Sequence, residues 1–102
     1  MGIDTLEINS ETAVLIAVST PSVSVEKVNE YLDELAFLVD TAGGVAVKKF
    51  TQNLQYPDPK TYLGSGKLEE VREYIRENKV GLAVFDDELS PSQTRNVEQE
   101  LE

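Results

Sequence analysis

The run Thr12-Ala13-Val14-Leu15-Ile16-Ala17-Val18-Ser19 contains no charged residue and does not alternate apolar with polar positions. A strand with one solvated face would alternate, so a β-branched-rich run without alternation predicts a strand buried on both faces. Such a strand sits inside a parallel sheet covered by helices above and below. It therefore commits the chain to an α/β architecture, provided helices flank it.

The chain supplies them in order. Thr20-Pro21-Ser22 breaks the strand, Ser24 is placed to cap a helix with Glu26 in its first turn, and Val25, Val28, Leu32, Leu35 and Val39 recur at helical spacing. Gly43-Gly44 stops that helix. Val45 to Thr51 predicts a second strand, and Lys48 and Lys49 within it point to a sheet edge. Residues 52–62 form a long connection that Pro57 and Pro59 bias toward extended backbone. After Gly66, Leu68, Val71 and Ile75 mark a helix, Leu82 to Phe85 a short buried strand, and Ser90-Pro91-Ser92-Gln93 a capping box with proline at the first helical position. Val97 and Leu101 line one side of that last helix. The expectation is a three-layer α/β/α domain over residues 12–102, with a small parallel sheet of strand order 2-1-3, behind an irregular N-terminal segment at residues 1–11. A chain ending on a helix in such a fold ordinarily has another strand to come. Truncation before that strand would leave the edge of the third strand open, from which self-association is expected.

Composition removes several chemistries. There is no cysteine and no histidine among the 102 residues, so thiolate zinc sites, disulfides and Ser-His-Asp or Cys-His catalysis are excluded within this chain. The longest apolar run, Ala13 to Val18, is too short to span a bilayer, and the first residues lack the basic-then-apolar order of a signal peptide, which leads to the expectation of a cytoplasmic protein without membrane contact. The net charge of −10 argues against nucleic-acid binding by the whole surface. The charge is uneven, however. Residues 1–47 carry 8 acids and 1 base, residues 48–79 carry 5 acids and 7 bases, and residues 80–102 carry 6 acids and 1 base. A polyanion would meet the middle third.

That third holds Gly64-Ser65-Gly66-Lys67, which delivers the chain into a helix with a lysine in its first turn. Free amides, a positive helix end and an ammonium together suit an anion, with Lys60 just upstream. The same glycines equally suit a tight turn that packs the helix on the sheet. A P-loop is excluded in detail, because Thr61 stands where the first glycine belongs and Leu68 where the magnesium-binding Ser or Thr belongs. Asp86-Asp87-Glu88 follows the third predicted strand, where parallel sheets place functional groups, and it also suits a solvated turn before a helix. No nucleophile–base pair and no spaced metal ligands accompany either motif, so no catalytic and no metal residue is assigned.

Two stretches carry a resemblance. Asp58-Pro59-Lys60-Thr61-Tyr62-Leu63-Gly64-Ser65-Gly66-Lys67-Leu68-Glu69-Glu70, followed by Phe85-Asp86-Asp87-Glu88-Leu89-Ser90-Pro91-Ser92-Gln93-Thr94-Arg95-Asn96-Val97-Glu98, resembles the N-terminal domain of HflX-type GTPases in order and in separation. The resemblance implies a ribosome-associated, translation-factor-class protein that binds the large ribosomal subunit and is linked to rescuing or splitting stalled ribosomes. In that family a helical-hairpin linker and a GTP-binding domain follow, and the N-terminal domain is associated with rRNA contact and with ATP binding. The matching positions are Gly64, Ser65, Gly66 and Lys67 for the glycine-rich loop, Asp86, Asp87 and Glu88 for the acidic turn, and Arg95 and Asn96 after it. No G-x-x-x-x-G-K-[ST] or N-K-x-D stands in these residues. The expectation is accordingly a binding or regulatory domain without GTPase activity of its own, with GTP and Mg2+ belonging to the longer family protein. Its expected partners are rRNA of the large subunit and its own GTPase domain; the alternative is a nucleotide-binding domain that uses the Gly64–Lys67 loop.

Overall fold

The computed structural model describes residues 4–7 and 12–101. In chain order the elements are β1 (Asp4–Glu7), β2 (Thr12–Ser19), α1 (Val25–Thr41), β3 (Val45–Asn53), α2 (Ser65–Asn78), β4 (Leu82–Phe85) and α3 (Pro91–Leu101). The sheet order is β1-β4-β2-β3, with β2 parallel to both β3 and β4. The three parallel strands thus have the 2-1-3 order and the small α/β architecture expected from sequence.

β2 is buried on both faces, as its composition demands. Val14, Ile16 and Val18 join α2, α3, Phe85 and Tyr62 in the larger core cluster. Ala13, Leu15 and Ala17 join Val28, Leu32 and Leu35 of α1 in the smaller one on the other face. The sheet is therefore the middle of three layers. β3 is an edge strand that exposes both Lys48 and Lys49. Its pairing with β2 shifts register between Ala13↔Ala46 and Val14↔Lys48, leaving Val47 as the extra residue of a bulge.

The caps follow local chemistry. The Ser24 side chain accepts the Lys27 N–H at 3.2 Å to open α1. At its other end Gly43 takes φ 92, and the Gly43 and Gly44 amides donate to the Asp40 and Val39 carbonyls, which closes the helix with a left-handed glycine. Ser90 and Gln93 cap α3 reciprocally: the Gln93 N–H donates to Ser90 Oγ at 3.1 Å and the Ser90 N–H to Gln93 Oε1 at 2.9 Å.

Two expectations are corrected. Within the segment read as irregular, Asp4–Glu7 is a strand paired antiparallel with β4 in the register Asp4↔Phe85 to Glu7↔Leu82; residues 1–3 and 8–11 lie outside the described residues. The edge of β4 expected to lie open is thereby occupied, so edge pairing through it is not available for self-association. The physical reason for the miss is that a four-residue edge strand draws its hydrogen bonds from β4, not from any periodicity of its own. Second, the proline-containing connection does not run extended throughout. Asp58 and Tyr62 bond each other's backbone, N–H to C=O, at 3.0 and 2.8 Å, and the chain turns back on itself there.

Candidate functional site

The parallel strands β2 and β4 end side by side, with the acidic turn directly after β4 and Tyr62 of the first resembling stretch bonded to β2. Beyond Phe85, β4 stops while β2 continues for three residues. The Val18 N–H on that side has no strand to bond, and the Tyr62 hydroxyl accepts it at 3.2 Å. Tyr62 adopts φ 68, a conformation usually left to glycine. It is held there by that hydrogen bond and by an edge-to-face contact with Phe85 at 5.6 Å between ring centroids. Burial first, and then the nearby Asp87 charge, push its phenol well above the ordinary range, so it stays a neutral hydroxyl.

Tyr62 anchors a loop that is wired at nearly every turn. The Asp58 carboxylate accepts the Lys60 and Thr61 amides at 2.7 and 3.2 Å, which fixes an Asx turn at Pro59. From α3, Gln93 Nε2 donates to the Asp58 carbonyl at 2.8 Å and Asn96 Nδ2 to the Lys60 carbonyl at 3.0 Å. The two resembling stretches, far apart in sequence, are thus two halves of one hydrogen-bonded unit. The unit leaves Tyr56, 69% exposed, and the Lys60 side chain in solvent, along with Gln55 and Pro59.

The glycine-rich start of α2 is partly occupied by the protein itself. The Gly64 amide donates to Gln52 Oε1 at 2.8 Å, and a Cβ on Gly64 would stand 2.9 Å from Gln52 Nε2. Gly64 therefore serves a close approach between α2 and the end of β3. Lys67 Nζ lies 3.3 Å from Glu70 of its own helix. Ser65 and Gly66 are exposed; among the described residues no side chain caps this helix start, and a Cβ on Gly66 would meet nothing within 4 Å.

The acidic turn separates its three residues. The Asp86 N–H extends the sheet by donating to the Ile16 carbonyl at 2.8 Å, and Asp86 Oδ1 is buried with no hydrogen-bond partner among the described residues. Burial, followed by the Asp87 charge, raises the Asp86 carboxyl above its ordinary value. The Asp87 and Glu88 side chains face solvent, and Asp87 Oδ1 accepts the Glu88 N–H at 2.8 Å. Among the described residues no three carboxylates gather as a metal-binding group. Asp86 and Asp87 form one wall of a cleft of about 380 Å³ whose floor and other wall are Ala17, Val18, Val23, Val28 and Tyr31. This cleft opens at the C-terminal ends of β2 and β4, where the crossovers leave the sheet in opposite directions.

The positive middle third is largely matched to its own carboxylates. Lys49 pairs with Asp33, Lys67 with Glu70, Arg72 with Glu69 and Glu100, and Arg76 with Glu73, while Lys48 stands 5.9 Å from the centre of the Phe50 ring. Among the described residues no ion pair reaches Lys60, Lys79 or Arg95. Three functional groups escaped the sequence reading: Gln52, Tyr62 as a buried anchor, and Gln93 as more than a cap. Their only sequence signal is membership of, or proximity to, the two resembling stretches.

A family model described as GTP-binding GTPase N-terminal matches residues 29–102. A GTPase HflX of Flavobacterium psychrophilum is 51% identical over 90 residues, covering 88% of this chain and 22% of the relative. A GTPase HflX of Lacrimispora saccharolytica is 49% identical over 92 residues (90% and 21%), and that of Escherichia coli K12 is 37% identical over 73 residues (72% and 17%). The chain spans about a fifth of the length of these curated relatives. With its fold, its two interlocked motifs and these relatives in agreement, the chain belongs to the family of GTP-binding GTPase N-terminal domains, the α/β domain of HflX-type proteins.

Proposed function

We propose that this domain is the recognition module of a cytoplasmic, translation-factor-class GTPase, and that it contacts rRNA of the large ribosomal subunit without hydrolysing GTP itself. The observation that carries this reading is the loop at residues 54–64. Its backbone is held by Gln93, Asn96, Asp58 and Gln52, yet Tyr56 and Lys60 project from it unshielded. Unstacked RNA bases are bound on aromatic faces and their phosphates by cations, and a pre-ordered loop spends little entropy on binding. Lys60, Lys79 and Arg95 carry positive charge that no described carboxylate takes up in an ion pair, whereas most of the other cations are already paired. RNA binding should therefore depend on stacking at Tyr56 more than on bulk charge.

No observation lifts ATP binding at Gly64–Lys67 to equal standing, because the Gly64 amide is engaged by Gln52 and Lys67 by Glu70. The test is an amide-resolved NMR titration with a short rRNA hairpin, alongside binding to isolated large subunits. Shifts centred on residues 55–61 are expected, with Tyr56→Ala weakening binding by about tenfold and log affinity falling against log salt with a slope of only about one to three. Asn96→Ala should accelerate amide exchange at residues 58–62 and weaken binding less than Tyr56→Ala. Absence of binding to hairpin and subunit at low salt would overturn the proposal, and saturable ATP shifts at Ser65–Lys67 would replace it.

A further inference from the structure

The opposite side of the molecule carries a second surface that the loop does not use. α1 meets the sheet through buried Val28, Leu32 and Leu35, with Ala36 and Val39 packed beside them. Yet its solvent side holds Phe37, 69% exposed, and Leu38, 48% exposed, next to each other on a shallow depression completed by Asp33 and Glu34. Just past the Ala42–Gly44 turn, Val45 and Val47 at the start of β3 are exposed as well. Single exposed apolar residues are ordinary, but an adjacent Phe and Leu lining one depression form a patch.

Charge decides what could cover it. α1 carries Glu26, Glu30, Asp33, Glu34 and Asp40 against Lys27 alone. Lys27 takes up Glu30, and Lys49 takes up Asp33. Among the described residues no ion pair reaches Glu26, Glu34 or Asp40, which lie before, beside and after the Phe37–Leu38 pair. A nucleic acid would bring phosphates against these carboxylates. A second copy of the chain, docking by this same patch about a two-fold axis, would oppose acid to acid. We propose that this face of α1 docks a basic protein segment, in which an aliphatic or aromatic anchor seats on Phe37 and Leu38 while flanking Lys or Arg side chains meet Glu34 and Asp40. An anchor in an apolar depression with a charged rim is the usual anatomy of a helix or strand captured on a surface. Because α1 and the pinned loop lie on opposite faces of the sheet, one domain can hold RNA and this segment together.

The probe is a short amphipathic peptide built of leucine pairs and lysine pairs, titrated into the 15N-labelled domain. Two control peptides accompany it, one with glutamate in place of lysine and one of oligolysine. The Leu/Lys peptide should shift amides of residues 34–41 and 45–47. Affinity should fall by about tenfold for the Phe37→Ser/Leu38→Ser double variant and by a comparable factor for Glu34→Lys, and both controls should bind about tenfold more weakly. An unchanged thermal unfolding curve for each variant separates loss of docking from loss of fold. Oligolysine binding as tightly as the Leu/Lys peptide, or a double variant that binds as the parent does, would overturn the proposal. So would a concentration-dependent dimer in sedimentation that Phe37→Ser abolishes, because the occupant would then be a second copy.

Discussion

The two faces of the sheet are built on different principles. On one, α2, α3 and the 54–64 loop close over Phe50, Tyr62, Leu63, Phe85 and Val97, and side-chain amides from Gln52, Gln93 and Asn96 tie backbone segments across that layer. On the other, Val28, Leu32 and Leu35 of α1 lie over Ala13, Leu15, Ala17 and Val84, and among the described residues only the Ser24 cap and the Lys49–Asp33 pair tie the helix to the rest of the chain by side-chain hydrogen bonds. The first face is over-determined, apolar packing and polar wiring agreeing on one geometry. The second is held mainly by packing. A loop that must present a side chain to a partner gains from the first arrangement, since the ordering cost is met in folding rather than in binding.

The contrast is broken most directly by truncating each core in turn. Phe85→Ala opens a cavity under Tyr62 and should cost about 3–5 kcal/mol, close to the whole stability of a domain of this size. Leu32→Ala on the α1 face should cost about 2–4 kcal/mol, and urea unfolding of both variants ranks them. Equal or reversed losses would mean that the two faces do not differ as described. Tyr62→Phe comes next. It removes one oxygen, keeps the ring on Phe85, and leaves the Val18 amide buried and unpaired, for an expected loss of about 1–3 kcal/mol. A loss well under that range would mean that water replaces the hydroxyl.

The same contrast explains what could be read in advance. Elements whose existence depends on local chemistry were legible: Thr12–Ser19, Leu82–Phe85, the Ser24 cap, the Gly43 stop and the Ser90–Gln93 box stand where their residues put them. What was not legible is what depends on a distant partner. β1 exists through β4, Tyr62 is buried through Val18 and Phe85, and the connection turns at Asp58 because α3 and an Asx turn bind its carbonyls and amides. Proline content alone suggested extension there, and side-chain amides from thirty-five residues away overrode it. At the site itself, the glycines, lysines and acids were visible as types. Their engagement was not, because Gln52 on Gly64 and Glu70 on Lys67 are facts of packing rather than of spacing.

A smaller effect tests the edge between the two faces, where β2 and β4 end. Asp86 has its carboxyl raised by burial and by Asp87, so the folded state retains a proton that the unfolded chain releases. Stability from this group is then greatest below the unfolded value of about 3.9 and declines as pH rises from there through the raised folded value. Asp86→Asn removes that decline. It should raise the melting temperature near neutral pH and leave it unchanged at a pH of about 3.5, as followed by circular dichroism. A gain that persists in acid would locate the effect in packing instead of titration.

The smallest expected effect is the one that most sharpens the comparison. Phe37 stands on the α1 face but outside its packed stripe, which is Val28, Leu32 and Leu35 with Ala36 and Val39 beside them. Phe37→Ser should therefore change unfolding free energy by no more than about 0.5 kcal/mol in urea titration. Indifference of stability to Phe37 would show that the fold does not need this exposed aromatic, which is the condition that docking on it requires. A loss above about 1 kcal/mol would instead make Phe37 a third anchor of α1, and the acidic face would lose the apolar centre on which docking depends.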